Sequence, residues 1–100
     1  MIHAPAEWME IVRKHLRFYL TQEYQVILFG SRATGVRLKK HSDFDLCIKG
    51  KSKIDSHLLS SLKEGFVNSD LPVRVDVADW HELPDFLKKI VDEEGVEVSF

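Results

Sequence analysis

Two carboxylates and a Gly-Ser pair stand where chemistry is easiest to build. Asp43 and Asp45 open a short apolar run, Leu46-Cys47-Ile48, and Gly30-Ser31 ends another, Val26-Ile27-Leu28-Phe29. Residues two apart on a strand project to one face, so Asp43 and Asp45 share a face while Phe44, Leu46 and Ile48 take the other. Gly30 lets the backbone approach a phosphate closely. The N–H groups at the start of a following turn favour an anion, and the Ser31 hydroxyl can donate to it. Carboxylates beside a phosphate-binding corner point to metal-assisted phosphate chemistry.

A third carboxylate belongs with them. Val73-Arg74-Val75-Asp76-Val77-Ala78 alternates strictly and is the clearest strand signal in the chain. If its valines join Phe44 and Leu46 in the core, Asp76 shares the outer face with Asp43 and Asp45. Two like charges ~4 Å apart repel by about 4 kcal/mol at an effective dielectric of 20. One arginine, Arg74, faces the same way, which does not neutralise three acids. Protonation or a bound cation are the remaining remedies, and an oxygen-only donor set suits Mg2+ or Mn2+. With two ions, one activates an attacking hydroxyl and the other steadies a triphosphate and its leaving pyrophosphate. The corner is not a Walker A loop: Gly30-Ser31-Arg32-Ala33-Thr34-Gly35 has the glycine spacing, but Val36-Arg37 stands where Lys-Ser/Thr is required.

The elements that must position these residues read as follows. Pro5 suits a first helical turn, and Trp8, Ile11, Val12, Leu16, Tyr19 and Leu20 recur at helical spacing, predicting an amphipathic helix over 5–21. Residues 24–29 read as a central strand covered on both faces. Ser31 is a candidate N-cap for a turn over 32–34, Gly35 its stop, and 36–42 a basic loop. A second strand covers 44–48. Ser52 and Asp55 mark a helix start with Ile54, Leu58, Leu59, Leu62 and Phe66 on one face. The alternating strand follows, then a helix capped by Asp79 or His81, with Pro84 early and Gly95 as its stop. The tail Val96–Phe100 alternates and is either a short strand or a surface for a partner. The predicted fold class is α/β (α+β), in the order α-β-α-β-α-β-α.

Size and composition bound the rest. One hundred residues make a single domain over 1–100, able to bury roughly 60–70% of its unfolded surface. A net charge of −2 gives no bulk attraction to nucleic acid or anionic lipid, so no direct nucleic-acid binding is expected. The lone Cys47 cannot form an internal disulfide and suits a reducing compartment. No run approaches the ~20 apolar residues of a membrane span, and no secretory leader is visible. A cytoplasmic protein is expected.

Taken together, GSRATG, SDFDL and VRVDVADW resemble the nucleotidyltransferase superfamily typified by the DNA polymerase β palm, and most of all its minimal nucleotidyltransferases (MNT proteins). That family's pattern is Gly-Ser, about ten residues, Asp-x-Asp, and a third Asp on a later strand. Here Gly30, Ser31, Asp43, Asp45 and Asp76 match it, with eleven residues between Ser31 and Asp43. The resemblance covers about 24–80. It implies a small mixed sheet flanked by helices, two Mg2+ (or Mn2+) ions, ATP as nucleotide substrate, Asp43, Asp45 and Asp76 as metal-binding catalytic residues, and Gly30, Ser31 and Arg32 at the nucleotide. It also implies a HEPN-domain toxin encoded nearby as partner, silenced by AMP transfer to a tyrosine. The larger transferases of the superfamily use an additional domain to hold substrate. A chain of this length is expected to borrow that wall from a partner or an oligomer.

Plainer roles stand beside these. Ser31 is placed to act only as a helix cap, and Asp76 only as a partner for Arg74. Arg32, Lys39 and Lys40 read as a solvated basic loop more readily than as triphosphate contacts, and His41 as an exposed loop residue. His3, His15, His57 and His81 lack metal-ligand spacing. Trp8, Trp80 and Cys47 read as packing. The alternatives to protein adenylylation are an antitoxin that neutralises its partner by docking alone, and transfer to a small hydroxylated molecule.

Overall fold

Val26 and Leu28 are buried on one side of the first strand and Ile27 on the other, as the unbroken apolar run predicts for a strand covered on both faces. The computed structural model describes residues 2–100. In chain order its elements are α1 (Ala6–Tyr19), β1 (Gln25–Phe29), α2 (Ser31–Thr34), β2 (Phe44–Lys49), α3 (Ser56–Val67), β3 (Val75–Asp79), a 3-10 turn (Trp80–Glu82), α4 (Asp85–Glu94) and β4 (Val96–Glu97). The four strands form one sheet in the order β3-β2-β1-β4. β1 pairs antiparallel with both β2 and β4, whereas β2 and β3 run parallel. The sheet is therefore mixed, and α3 supplies the crossover that a parallel pair requires.

The two faces are covered differently. Phe44, Leu46 and Ile48 of β2 are fully buried, in one cluster with Val26 and Leu28 of β1, Val77 of β3, Met9, Val12 and Leu16 of α1, and Leu62 and Phe66 of α3. Each such side chain contributes roughly 1.5–3 kcal/mol by leaving water, so this layer fixes the register of β2 and β3. A one-residue slip would turn Asp45 into the core. The opposite face carries a smaller cluster, Ile27, Cys47 and Val91, with Phe29, Trp80 and Leu83 packed against it. α4 covers only part of that face, through Val91.

Three expectations are adjusted by the packing. The tail is a strand: Val96 pairs with Leu28, the Val98 N–H donates to the Val26 carbonyl at 2.8 Å, and Val98 is 1% exposed. α3 starts on Asp55 alone, whose carboxylate accepts from the Leu58 N–H at 3.1 Å. Neither Asp79 nor His81 caps the last helix. Asp79 caps the 3-10 turn by accepting from the His81 N–H, and α4 begins one residue after Pro84. No helix is long and apolar enough to cross a membrane, among the described residues.

Candidate active site

The core layer sets where the carboxylates point. With Phe44 and Leu46 turned inward, Asp45 is turned to the other face, directly paired in register with Asp76 on β3. Asp43 sits two residues before Asp45, just ahead of the strand. The charges of the other two acids reach Asp45. The Asp45 carboxyl is pushed up from 3.8 to about 6, first by burial and then by the charges of Asp76 and Asp43. Arg74 reaches Asp76 with Nη2 3.1 Å from Oδ1, but its side chain is 79% exposed. A pair this open to water contributes about 0–1 kcal/mol and does nothing for Asp45.

The Gly-Ser corner meets this cluster directly. Phe29, the last residue of β1, pairs with Asp45 across the antiparallel ladder, so the chain leaves β1 beside that carboxylate. Gly30 takes φ 77° and ψ −158°, a conformation essentially confined to glycine. A Cβ there would lie 2.5 Å from Asp45 Oδ2. Gly30, not Ser31, occupies the N-cap position of α2, and Ser31 is its first helical residue without a side-chain cap bond. The N–H groups of Ala33 and Thr34 both donate to the Gly30 carbonyl, which closes the turn beyond Ser31. Substituting Gly30→Ala is expected to displace Asp45 and strain the turn. Any phosphate chemistry run at this corner should slow by at least about 100-fold, with about 1–3 kcal/mol lost from stability. Unchanged turnover, measured together with a urea melt, would refute that geometry.

Arg32 is where the structure departs most from expectation. It is 3% exposed and belongs neither to a solvated loop nor to the open face of the site. Nε donates to the Ser42 carbonyl at 2.9 Å, Nη1 to the His3 carbonyl at 3.0 Å and Nη2 to the Lys40 carbonyl at 3.4 Å. The guanidinium lies 5.1 Å from the Trp8 ring centroid and 5.0 Å from that of Phe44. Burial lowers its pKa, and the nearby charge of Asp43 works against that lowering. Each of its three nitrogens donates to a backbone carbonyl, so it holds the segment that delivers Asp43. Lys39, Lys40 and His41 are exposed, as expected.

Other residues carry structural roles beyond those read from the sequence. The His3 carbonyl accepts from the Arg32 guanidinium, and the His3 N–H donates to the Arg32 carbonyl at 2.7 Å. Its ring also packs on Gly35. Asp79, 3% exposed, accepts from the Ile54 N–H at 3.1 Å as well as from His81, so one buried carboxylate ties the end of β3 to the approach of α3. Cys47 is fully buried and its thiol is pushed up to about 11, chiefly by burial with a contribution from the Asp79 charge. A thiol so disfavoured as thiolate is not a nucleophile.

Among the described residues no three His, Cys, Asp or Glu side chains are already grouped to hold an ion. An ion of the Mg2+ type does not need an all-protein cage, since it takes one or two carboxylates and completes its shell with substrate phosphates and water. The charges of Asp76 and Asp43, which add to burial in raising the Asp45 carboxyl, would be eased by a cation, and oxygen donors fit a hard one.

The profile of the nucleotidyltransferase domain family matches residues 9–98, which spans all three aspartates and the Gly-Ser corner. The chain belongs to the nucleotidyltransferase family. Over 86 residues it is 40% identical to the probable protein adenylyltransferase MntA of Haemophilus influenzae, covering 86% of this chain and 74% of that one. Among solved structures, a toxin–antitoxin with AMP-PNP superposes with a TM-score of 0.72 at 23% identity, over 91% of this chain and 72% of that one. A tri-AMPylated Shewanella oneidensis HEPN toxin in complex with MNT antitoxin gives 0.67 at 20% identity, over 93% and 70%. At such identities these two establish the likeness of fold. It is the nucleotidyltransferase fold that the sheet order and helix layers describe.

Proposed function

We propose that this nucleotidyltransferase transfers AMP from ATP to a tyrosine hydroxyl of a HEPN-type protein partner and thereby acts as its antitoxin. The observation that carries the reading is the meeting of Asp45 with Asp76 across β2 and β3 while Gly30 packs against the same Asp45. Oxygen donors for cations and a backbone corner for phosphates thus share one patch. The 40% identity to a probable protein adenylyltransferase supports a protein acceptor.

In this reading Asp43 and Asp45 hold two Mg2+ or Mn2+ ions and Asp76 holds one of them. When bound, the ions lower the pKa of the acceptor hydroxyl and neutralise charge on the triphosphate. Ser31 and the N–H groups at the start of α2 grip the phosphates. Asp76, on the outermost strand, orients the acceptor. The tyrosine oxygen bonds to the α-phosphorus, the bond to pyrophosphate breaks, and the hydroxyl proton is lost to solvent. Arg32 acts at a distance, by holding the loop before Asp43. A buried, undisulfided Cys47 suits action in the cytoplasm.

Purified protein, the HEPN-type protein encoded beside it, α-labelled ATP and Mg2+ test this directly. The expected product is the partner heavier by one or more AMP groups in intact-mass spectrometry. A partner that stays unlabelled with Mg2+ and with Mn2+, yet is still neutralised by Asp43→Ala with Asp45→Ala, would replace the enzyme by a docking antitoxin.

A further inference from the structure

β3 is an edge strand, and its outer side is open. The Phe44 N–H donates to the Arg74 carbonyl at 2.9 Å, and Phe44 pairs in parallel register with Val75. In a parallel ladder the backbone groups of alternate residues turn to opposite sides. Arg74 and Asp76 therefore turn theirs toward β2, and Val75 and Val77 turn theirs to the free edge. Beside that edge lies a hollow of about 360 Å3 with apolar walls from Phe66, Val67, Leu71 and Val73, and Arg74 and Asp76 also line it. Val67 is 82% exposed, an unusual place for a bare aliphatic side chain at the lip of a hollow.

We propose that the acceptor protein docks here, as an extended segment laid along the open edge of β3. This rests on the protein-acceptor reading above. A strand added at about 4.8 Å from β3 pairs its backbone with the outward groups of Val75 and Val77. Its side chains then alternate between the two faces of the sheet. One falls on the α3 side, into the apolar hollow. Its neighbour falls on the carboxylate side, across from Asp76, where directly opposed Cβ atoms lie about 4.5–5.5 Å apart. The segment that fits carries the reacting hydroxyl on one residue and an apolar side chain on the next. The continuity of hollow, open edge and Asp76 favours this approach, because the hollow is lined by Val75 and Asp76 of the edge strand itself.

Val67→Glu and Val67→Lys test the surface without touching the core, since Val67 is already in water. Both should raise the KM for the protein acceptor at least tenfold, with kcat and the KM for ATP unchanged, and Val67→Ile should behave as wild type. Tyrosine peptides flanked by Leu or Val should outcompete peptides flanked by Gly. If both charged variants transfer with the wild-type KM, the docking surface lies elsewhere. If they instead dissolve a dimer of this chain while the acceptor KM holds, the edge is a self-association surface and the proposal falls. Absence of transfer by the wild-type protein overturns the acceptor reading, and the docking with it.

Discussion

Replacing Asp45 by asparagine is expected to abolish nucleotide transfer and, in the same protein, to stabilise the metal-free fold at neutral pH. Asp45 is pushed up to about 6 by burial and by the charges of Asp76 and Asp43, so its ionised form is disfavoured in the folded state. The sign follows from linkage. Between about pH 4 and pH 6 the folded protein holds a proton that the unfolded chain has released, so stability falls as pH rises through that window. The full shift of about two units is worth ~3 kcal/mol, and solvent screening reduces it to about 1–2 kcal/mol at pH 8. Asparagine keeps the shape and removes the charge. The variant should melt roughly 4–15 °C higher than wild type at pH 8, and the two curves should converge near pH 4. Transfer should drop by at least about 100-fold, corresponding to ~2.7 kcal/mol of transition-state stabilisation. Mg2+ should raise the melting temperature of wild type but not that of the variant. Melting curves across pH, with and without Mg2+, check all of this. An asparagine variant no more stable than wild type at pH 8 would mean that the three carboxylates do not strain the fold.

The same carboxylates show what the sequence could reveal. Strand alternation alone assigns the facing of Asp45 and Asp76, because Phe44, Leu46 and Val77 have only one place to go, and the core bears this out. Local pattern also gives the mixed helix–strand order and the buried, inert Cys47. It fails where partners come from far along the chain. Arg32 reads as solvated, like the loop lysines Lys39 and Lys40 that follow it, but its carbonyl partners are His3, Lys40 and Ser42 and its flat faces meet Trp8 and Phe44. Asp79 ends an alternating strand, and its parity with Val75 and Val77 already sends it inward. Which N–H groups wait there, those of Ile54 and His81, only the folded chain decides. The tail was ambiguous because two paired residues are too few to declare a strand by period, and its anchor is the distant Val26.

Arg32 is the second place where a single substitution should have a large effect. It also separates holding the loop from touching the nucleotide. Arg32→Ala leaves three loop carbonyls without donors and empties the space between Trp8 and Phe44. It should cost about 3 kcal/mol or more, a large share of the 5–15 kcal/mol typical of a domain. Such a variant risks not folding, so Arg32→Lys is the informative one. Lysine keeps the charge but not the planar fork, and should lose about 1–2 kcal/mol, lowering the melting temperature by roughly 4–15 °C. With the segment 36–42 loosened, Asp43 is delivered less accurately, so kcat should fall about tenfold or more while the KM for ATP changes little. A residue that gripped the triphosphate would give the opposite pattern, a raised KM for ATP with an unchanged melting temperature. The burial of Arg32 favours the first outcome, since a guanidinium with 3% exposure and all three nitrogens bonded to backbone carbonyls is turned away from the face where a phosphate would lie.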